Sequence, residues 1–336
     1  MVLKKTGSAW GVLPLFVYIA MFISCTGDKQ PDVSAIPVNI QTKRFERDLV
    51  SKGPNEPFEL KKKYPSFFNL FFFQVVGIGS PDSSTIGHRI SDFASDADID
   101  SICIEVEKQY PDVDVIDVKL ASAFRYYAYY FPGHVIPQTL TFVSGFNNAI
   151  VCADSLLGIG LDMYLGTESP YYRALQFPHF RRVKMRKEYI PADAMKGWLQ
   201  SEWPEPEENS DLLSRMIFSG KVLYALKQVM PKEPDSLLTG YSQAQLEWCM
   251  KNEKSTWSFF IDNKLLFANE QNQVMKYVSE GPTTNGFPKE SPGNVGQWIG
   301  YRIVEAYMES DKKLTPAALM KEQDSRKILQ QSRYKP

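Results

Sequence analysis

The stretch that most constrains the fold is residues 142–166, FVSGFNNAIVCADSLLGIGLDMYLG. Thr139-Leu140-Thr141-Phe142-Val143 is rich in β-branched and aromatic residues, and Ala149-Ile150-Val151-Cys152-Ala153 is a second short apolar run. Runs of this kind suit a pleated, half-buried surface. The turn-forming residues between them predict a hairpin across Gly145–Asn148. The glycines of Leu157-Gly158-Ile159-Gly160 read as a Gly-rich exit from the second strand.

Most of the remaining chain is patterned as helix. Val115 to Tyr127 carries apolar residues at helical spacing, and Phe131-Pro132-Gly133 stops it. Residues 189–201 and 211–230 read as helices; in the second, Leu212, Leu213, Met216, Ile217, Gly220, Leu223 and Tyr224 fall on one face. Ser242 followed three residues later by Gln245 is a capping-box pattern. Val295 to Met308 reads as a further helix, and Thr315-Pro316 opens the last one, with proline at its first position. Near the start, Ile40–Leu49 reads as a short strand running into a turn, and Pro65 interrupts a helix begun at Phe58. The dense run Phe67–Phe73 reads as core rather than as a lipid-dipping patch, because phenylalanine is among the most buried residue types. The fold class is therefore α+β, mainly helical with one small sheet. A chain of 336 residues that is 43% hydrophobic and 13% aromatic has ample material for a sizeable core. No linker divides it, so residues 41–336 read as a single globular domain.

The first residues form a targeting segment. Lys4 and Lys5 precede an apolar run from Trp10 to about Ile23, too short for a comfortable membrane span. Phe22-Ile23-Ser24-Cys25 then resembles a bacterial lipobox, in which the cysteine thiol is acylated and becomes the new N-terminus. Residues 1–24 are then a lipoprotein signal peptide, Cys25 the lipidation site and residues 25–40 a polar, Pro-rich tether. Cys103, Cys152 and Cys249 remain, an odd and widely spaced set that makes no disulfide framework. The net charge of −1 gives no basic face for nucleic acid. The local run Arg181-Arg182-Val183-Lys184-Met185-Arg186-Lys187 reads as a solvated helix face.

Together, the lipobox, KRFERDL, AFRYYAYYFP, TFVSGFNNA, LGIGLDMYLG, EWCMKNEKSTWSFFIDNKLLF and GFPKESPGNVGQWIGYRIVEAYM resemble the gliding motility lipoprotein GldB family of Bacteroidetes. The resemblance runs from Lys43 to Met308. It implies a lipid-anchored cell-envelope protein that serves gliding and the associated outer-membrane secretion machinery, with the choice between inner and outer membrane left open. The partners implied are the membrane, through Cys25, and envelope proteins of that apparatus. No catalytic residue, cofactor or metal comes with the family. A more remote likeness, in the order of strand pair, Gly-rich exit, helices and late Gly-Tyr helix, is to zinc peptidases. It implies a degenerate zincin-like fold without the metal motif: His179 has no second histidine four residues on, and His88 and His134 make no pair.

Five residues stand out as a candidate cleft. Asp162 sits among apolar residues, where a carboxylate needs a partner or a pocket, and Tyr164 is two residues on. Glu290, Gln297 and Tyr301 surround the Gly/Pro-rich 281–294 segment, and Gln297 and Tyr301 are one helical turn apart. The alternative for Asp162 is a hydrogen bond to the neighbouring Gly turn, and for Asn294 a helix N-cap. Two functions follow. One is a non-catalytic envelope protein acting through protein contacts. The other is a peptidase-like hydrolase or ligand-binding protein using a cleft near Asp162 and residues 281–301.

Overall fold

The computed structural model describes residues 30–203, 205–207 and 209–336; the signal segment and Cys25 lie outside them. Val33–Pro336 forms one compact unit. Val33, Val38 and Ile40 are already buried in its core, so packing starts ahead of Ile40.

β1 (Lys43–Arg44) leads straight into α1 (Phe45–Lys52), a helix where the sequence suggested a turn. The KRFERDL segment is an anchor. Arg44 pairs with the buried Glu46, whose carboxylate also accepts from the Thr141 hydroxyl at 2.8 Å. Arg47 grips Glu107 through two hydrogen bonds of 2.8 and 2.7 Å. Phe45 and Leu49, four apart, face inward. α2 (Pro57–Lys63) and α3 (Pro65–Asn69) are separated at Pro65, as read from the sequence. The chain then widens into a π-helical turn over Leu70–Val75. Phe67, Phe68, Phe71 and Phe72 are all buried, and Phe45 meets the rings of Phe67 and Phe71 edge-on at 5.0 and 4.8 Å. Such edge contacts suit the ring quadrupoles. The aromatic run is core. α4 (Ile86–Ala94) closes this layer; α5 (Ala97–Gln109) and α6 (Asp114–Tyr130) follow, the latter ending at Phe131 as expected.

The sheet corrects the predicted hairpin. β2 (Gln138–Phe142), β3 (Ile150–Ala153) and β4 (Leu156–Gly160) join β1 in the order β1-β2-β4-β3. β2 runs parallel to both β1 and β4, and the tight hairpin is β3–β4, turning at Asp154 with a left-handed φ of 43°. The Gly-rich exit is itself an inner strand of the sheet. Every residue of β4 is buried while all four of β3 are partly exposed, so burial drives β4 between its neighbours. Leu140, Phe142 and Leu156 face the aromatic layer; Leu157 and Ile159 face the helical body. A Cβ at Gly158 would stand 3.1 Å from the Phe142 ring, so that glycine leaves room for the aromatic layer.

The helical body follows α7 (Pro170–Ala174) and α8 (His179–Arg182). It comprises α9 (Ile190–Glu202), α10 (Leu212–Val229), α11 (Asp235–Thr239), α12 (Gln243–Lys251), α13 (Glu253–Asp262), α14 (Gln271–Val278), α15 (Val295–Ser310), α16 (Pro316–Lys321) and α17 (Ser325–Ser332). α10 is buried well beyond the face read from the sequence: Val222, Ala225, Leu226 and Val229 are also inside, as befits a central helix. It crosses α15 where Gly220 meets Gly300, with backbone against backbone. Thr315 caps α16 as expected, but α16 is not the last helix, because α17 follows with Asp324 as its cap. Among the described residues no helix is long and apolar enough to cross a membrane.

Candidate functional site

A groove of about 1040 Å³ lies between the segment after α8, the link from α11 to α12, and the 280–294 loop. Each wall is braced. The Ser242–Gln245 capping box is complete, with reciprocal bonds of 3.2 and 3.0 Å, and it fixes the start of α12 on the rim. Tyr241 donates its hydroxyl to the Asn294 carbonyl at 3.0 Å, tying that link to the foot of α15.

The 280–294 loop is held from within by Thr284, which is almost fully buried. Its hydroxyl donates to the Pro292 carbonyl at 2.6 Å and accepts from the Val295 amide at 3.0 Å. Asn294 occupies the N-cap position of α15 but its side chain makes no capping bond; Thr284 caps the helix from across the loop instead. Gly281 and Gly293 touch backbone to backbone, and Phe287 packs edge-on against Phe259 at 4.7 Å. Thr284→Val keeps the shape and removes the hydroxyl, leaving the Val295 amide without its buried acceptor. It is expected to cost about 2 kcal/mol, and chemical denaturation of the variant checks this.

The groove carries both signs of charge. Lys184 pairs with Glu280 in its wall. Burial pushes the Glu280 carboxyl up, but Lys184, with Lys196 and Arg181 adding to it, more than offsets this and the pKa is lowered overall. Lys251, Lys289, Glu247 and Glu290 stand around the rim. Lys184 belongs to the basic run read as a solvated helix face. Arg181 and Arg182 end α8 and Lys187 opens a 3-10 turn, while Lys184 between them turns into the groove.

The five sequence candidates separate. Glu290 is exposed on the groove rim. Gln297 is buried next to the groove wall, donating to the Thr239 carbonyl at 3.2 Å and accepting from Lys196 at 3.4 Å. Tyr164 donates to Asp193 at 2.9 Å. Tyr301 is turned toward Glu305, to which it donates at 2.6 Å, with Lys227 over its ring. Asp162 is fully buried and accepts from the backbone amides of Ser144 and Phe146 at 3.0 and 2.7 Å. That is the bond to the Gly turn that the sequence offered as an alternative.

Sequence reasoning missed Asp193 and Lys196, which sit one turn apart on α9 in the otherwise apolar Ile190–Leu199 segment. Two ionisable residues inside such a run were the available signal. Asp193 holds Tyr164, and Lys196 reaches Gln297, which in turn bonds the Thr239 carbonyl beside the groove. Burial raises the Asp193 carboxyl to about 6, against the opposing Tyr164 hydrogen bond, and burial lowers the Lys196 ammonium. His179 lines the groove, and His134 faces Glu202 at 2.7 Å. Among the described residues no group of three His, Cys, Asp or Glu side chains is placed to share a metal ion. Cys103, Cys152 and Cys249 are free thiols.

Fold and groove together define an α+β protein with an aromatic layer, a four-stranded mixed sheet and a helical body. The family model for gliding motility protein GldB matches residues 26–336, nearly the whole chain, and the chain belongs to that family. Membership makes it a gliding-motility protein of a lipoprotein family. No curated protein and no solved structure matches, so the remote likeness to zinc peptidases gains no support.

Proposed function

We propose that the protein is held at the cell envelope by an acylated Cys25 and supports gliding, with its associated secretion machinery, by binding an envelope protein in the groove rather than by catalysis. The polar stretch after Cys25, read from the sequence as a tether over residues 25–40, then ends ahead of the buried Val33. The observation that carries this reading is the groove itself: wide, braced on both walls and rimmed by charges of both signs. Charges arranged this way steer encounter and select partners more than they add affinity.

The test is crosslinking and recovery from envelopes of cells carrying the wild type or a Lys251→Glu, Glu290→Lys double variant. Both residues are exposed, so the folded state is expected to stay within about 0.5 kcal/mol of wild type. Partner recovery is expected to fall about tenfold or more, as opposed rim charges change association, and gliding with it. Unchanged recovery and unchanged gliding would overturn the reading. A small ligand or peptide substrate in the same groove is the second reading, favoured by a volume at the upper end of the small-molecule range. It predicts lost gliding with the recovered proteins unchanged.

A further inference from the structure

A second concave site lies on the other side of Gln297, between the free edge of the sheet and α9. β3 is the edge strand, and only β4 pairs with it. The Gly160 amide donates to the Ala149 carbonyl at 2.8 Å, which makes Ala149 and Gly160 a bonded pair of the antiparallel ladder. Bonded and non-bonded pairs alternate along such a ladder. Val151 with Gly158 and Ala153 with Leu156 are then bonded pairs, and the amides and carbonyls of Ile150 and Cys152 point away from β4. No described group receives them.

α9 packs over the helical-body face of β3, next to this edge. Gly197 brings it close: a Cβ there would lie 2.7 Å from the Ile150 side chain. The hollow that results, about 370 Å³, has Ile150 and Cys152 on the strand side and Tyr164, Asp193, Lys196 and Gln200 opposite. Lys196 is the member without a bonded carboxylate, since Asp193 and Glu280 act on it only through space. Its ammonium makes one long bond, 3.4 Å to Gln297, and no carboxylate lies within ion-pair distance among the described residues. Asp193 is committed through one oxygen to Tyr164.

We infer that this edge is a docking site for an extended, acidic segment of a partner polypeptide, which adds a strand to β3 and places an aspartate or glutamate side chain on Lys196. An edge strand offers the partner's backbone a ready ladder. A half-buried ammonium with donors to spare is complementary to a carboxylate, and a charge-assisted bond there is stronger than a neutral one. The site lies across Gln297 from the charged groove and shares with the preceding reading only that a protein is bound.

The probe is an acetylated and amidated heptapeptide of alternating valine and threonine with one central glutamate, added to the full chain. Hydrogen exchange is expected to slow about tenfold or more at the Ile150 and Cys152 amides, the gain in protection that pairing an open edge brings. Replacing the peptide's glutamate by glutamine, or making Lys196→Gln, is expected to weaken binding about tenfold, the loss of one hydrogen bond to a charged group. A peptide methylated on alternate backbone nitrogens keeps its side chains, leaves the protein's folding untouched and is expected not to bind. The Lys251→Glu, Glu290→Lys variant should bind the peptide as wild type does, whatever becomes of the groove reading. No protection at Ile150 and Cys152 at millimolar peptide, or equal binding of the methylated peptide, overturns the inference. Equal binding of the glutamine peptide overturns the assignment of Lys196 to a carboxylate.

Discussion

Gly300→Ala is expected to destabilise the protein by about 3 kcal/mol or more, at or beyond the upper end of ordinary overpacking. A Cβ at 300 would stand 1.8 Å from the Met216 carbonyl oxygen and 2.4 Å from its carbon, and one at Gly220 would stand 2.3 Å from the Gly300 carbonyl carbon. These are main-chain atoms inside two helices, so no side-chain rotation relieves the clash. α10 and α15 must move apart, and both are buried along most of their length. Gly220→Ala is expected to have a comparable effect. The double variant should cost less than the sum, because a crossing already opened by one methyl accommodates the second more easily. Urea denaturation of the four proteins measures this, and additive or negligible losses would refute the close crossing.

The second large effect is at Asp162. Asp162→Ala removes the acceptor for two buried amides, those of Ser144 and Phe146, and is expected to cost about 3 kcal/mol at pH 5. Asp162→Asn keeps an acceptor oxygen and is expected to behave differently with pH. The other carboxylate oxygen of Asp162 is buried with no partner, and burial raises the carboxyl to about 6, against the pull of the amides. A carboxyl whose folded pKa lies above its ordinary value binds its proton more tightly in the folded state. Its contribution to stability is full below about pH 4 and is lost as pH rises through about 6. A shift of that size corresponds to about 3 kcal/mol. Asparagine has no proton to lose, so the stability of Asp162→Asn relative to wild type is expected to rise by about 3 kcal/mol between pH 4 and pH 7. Taking the difference between the two proteins cancels groups common to both, Asp193 included. A flat difference would mean that Asp162 is not held in a dry site.

What the sequence disclosed was mainly what neighbouring residues decide among themselves. Pro65, Phe131-Pro132-Gly133, the Ser242–Gln245 box and Thr315-Pro316 each stop or start a helix where expected. Strand pairing was not local. Gly145 to Asn148 has every sign of a hairpin turn, yet it leads out of the sheet, because the wholly apolar face of β4 displaces β3 from the side of β2. α17 was missed because its polar sequence buries only Ile328 and Ser332. At the candidate site, Glu290 lies on the groove and Gln297 next to its wall, but the partners of Gln297 come from α9 and from the end of α11. Contacts between segments so far apart along the chain have no signature in either segment alone.

The parallel pairing of Lys43 with Leu140 also orders events in time. An N-terminal portion ending at Phe131 contains Phe45, Phe67, Phe68, Phe71 and Phe72 but neither Phe142 nor Leu156, against which those rings close. Pairings this distant in sequence form slowly and leave apolar surface uncovered meanwhile. As the chain emerges from its N-terminus, a half-made molecule must carry a bare aromatic face until β2 and β4 arrive. That interval is when it most needs a holdase and is most open to proteolysis, and a truncation before Gln138 would make the exposure permanent.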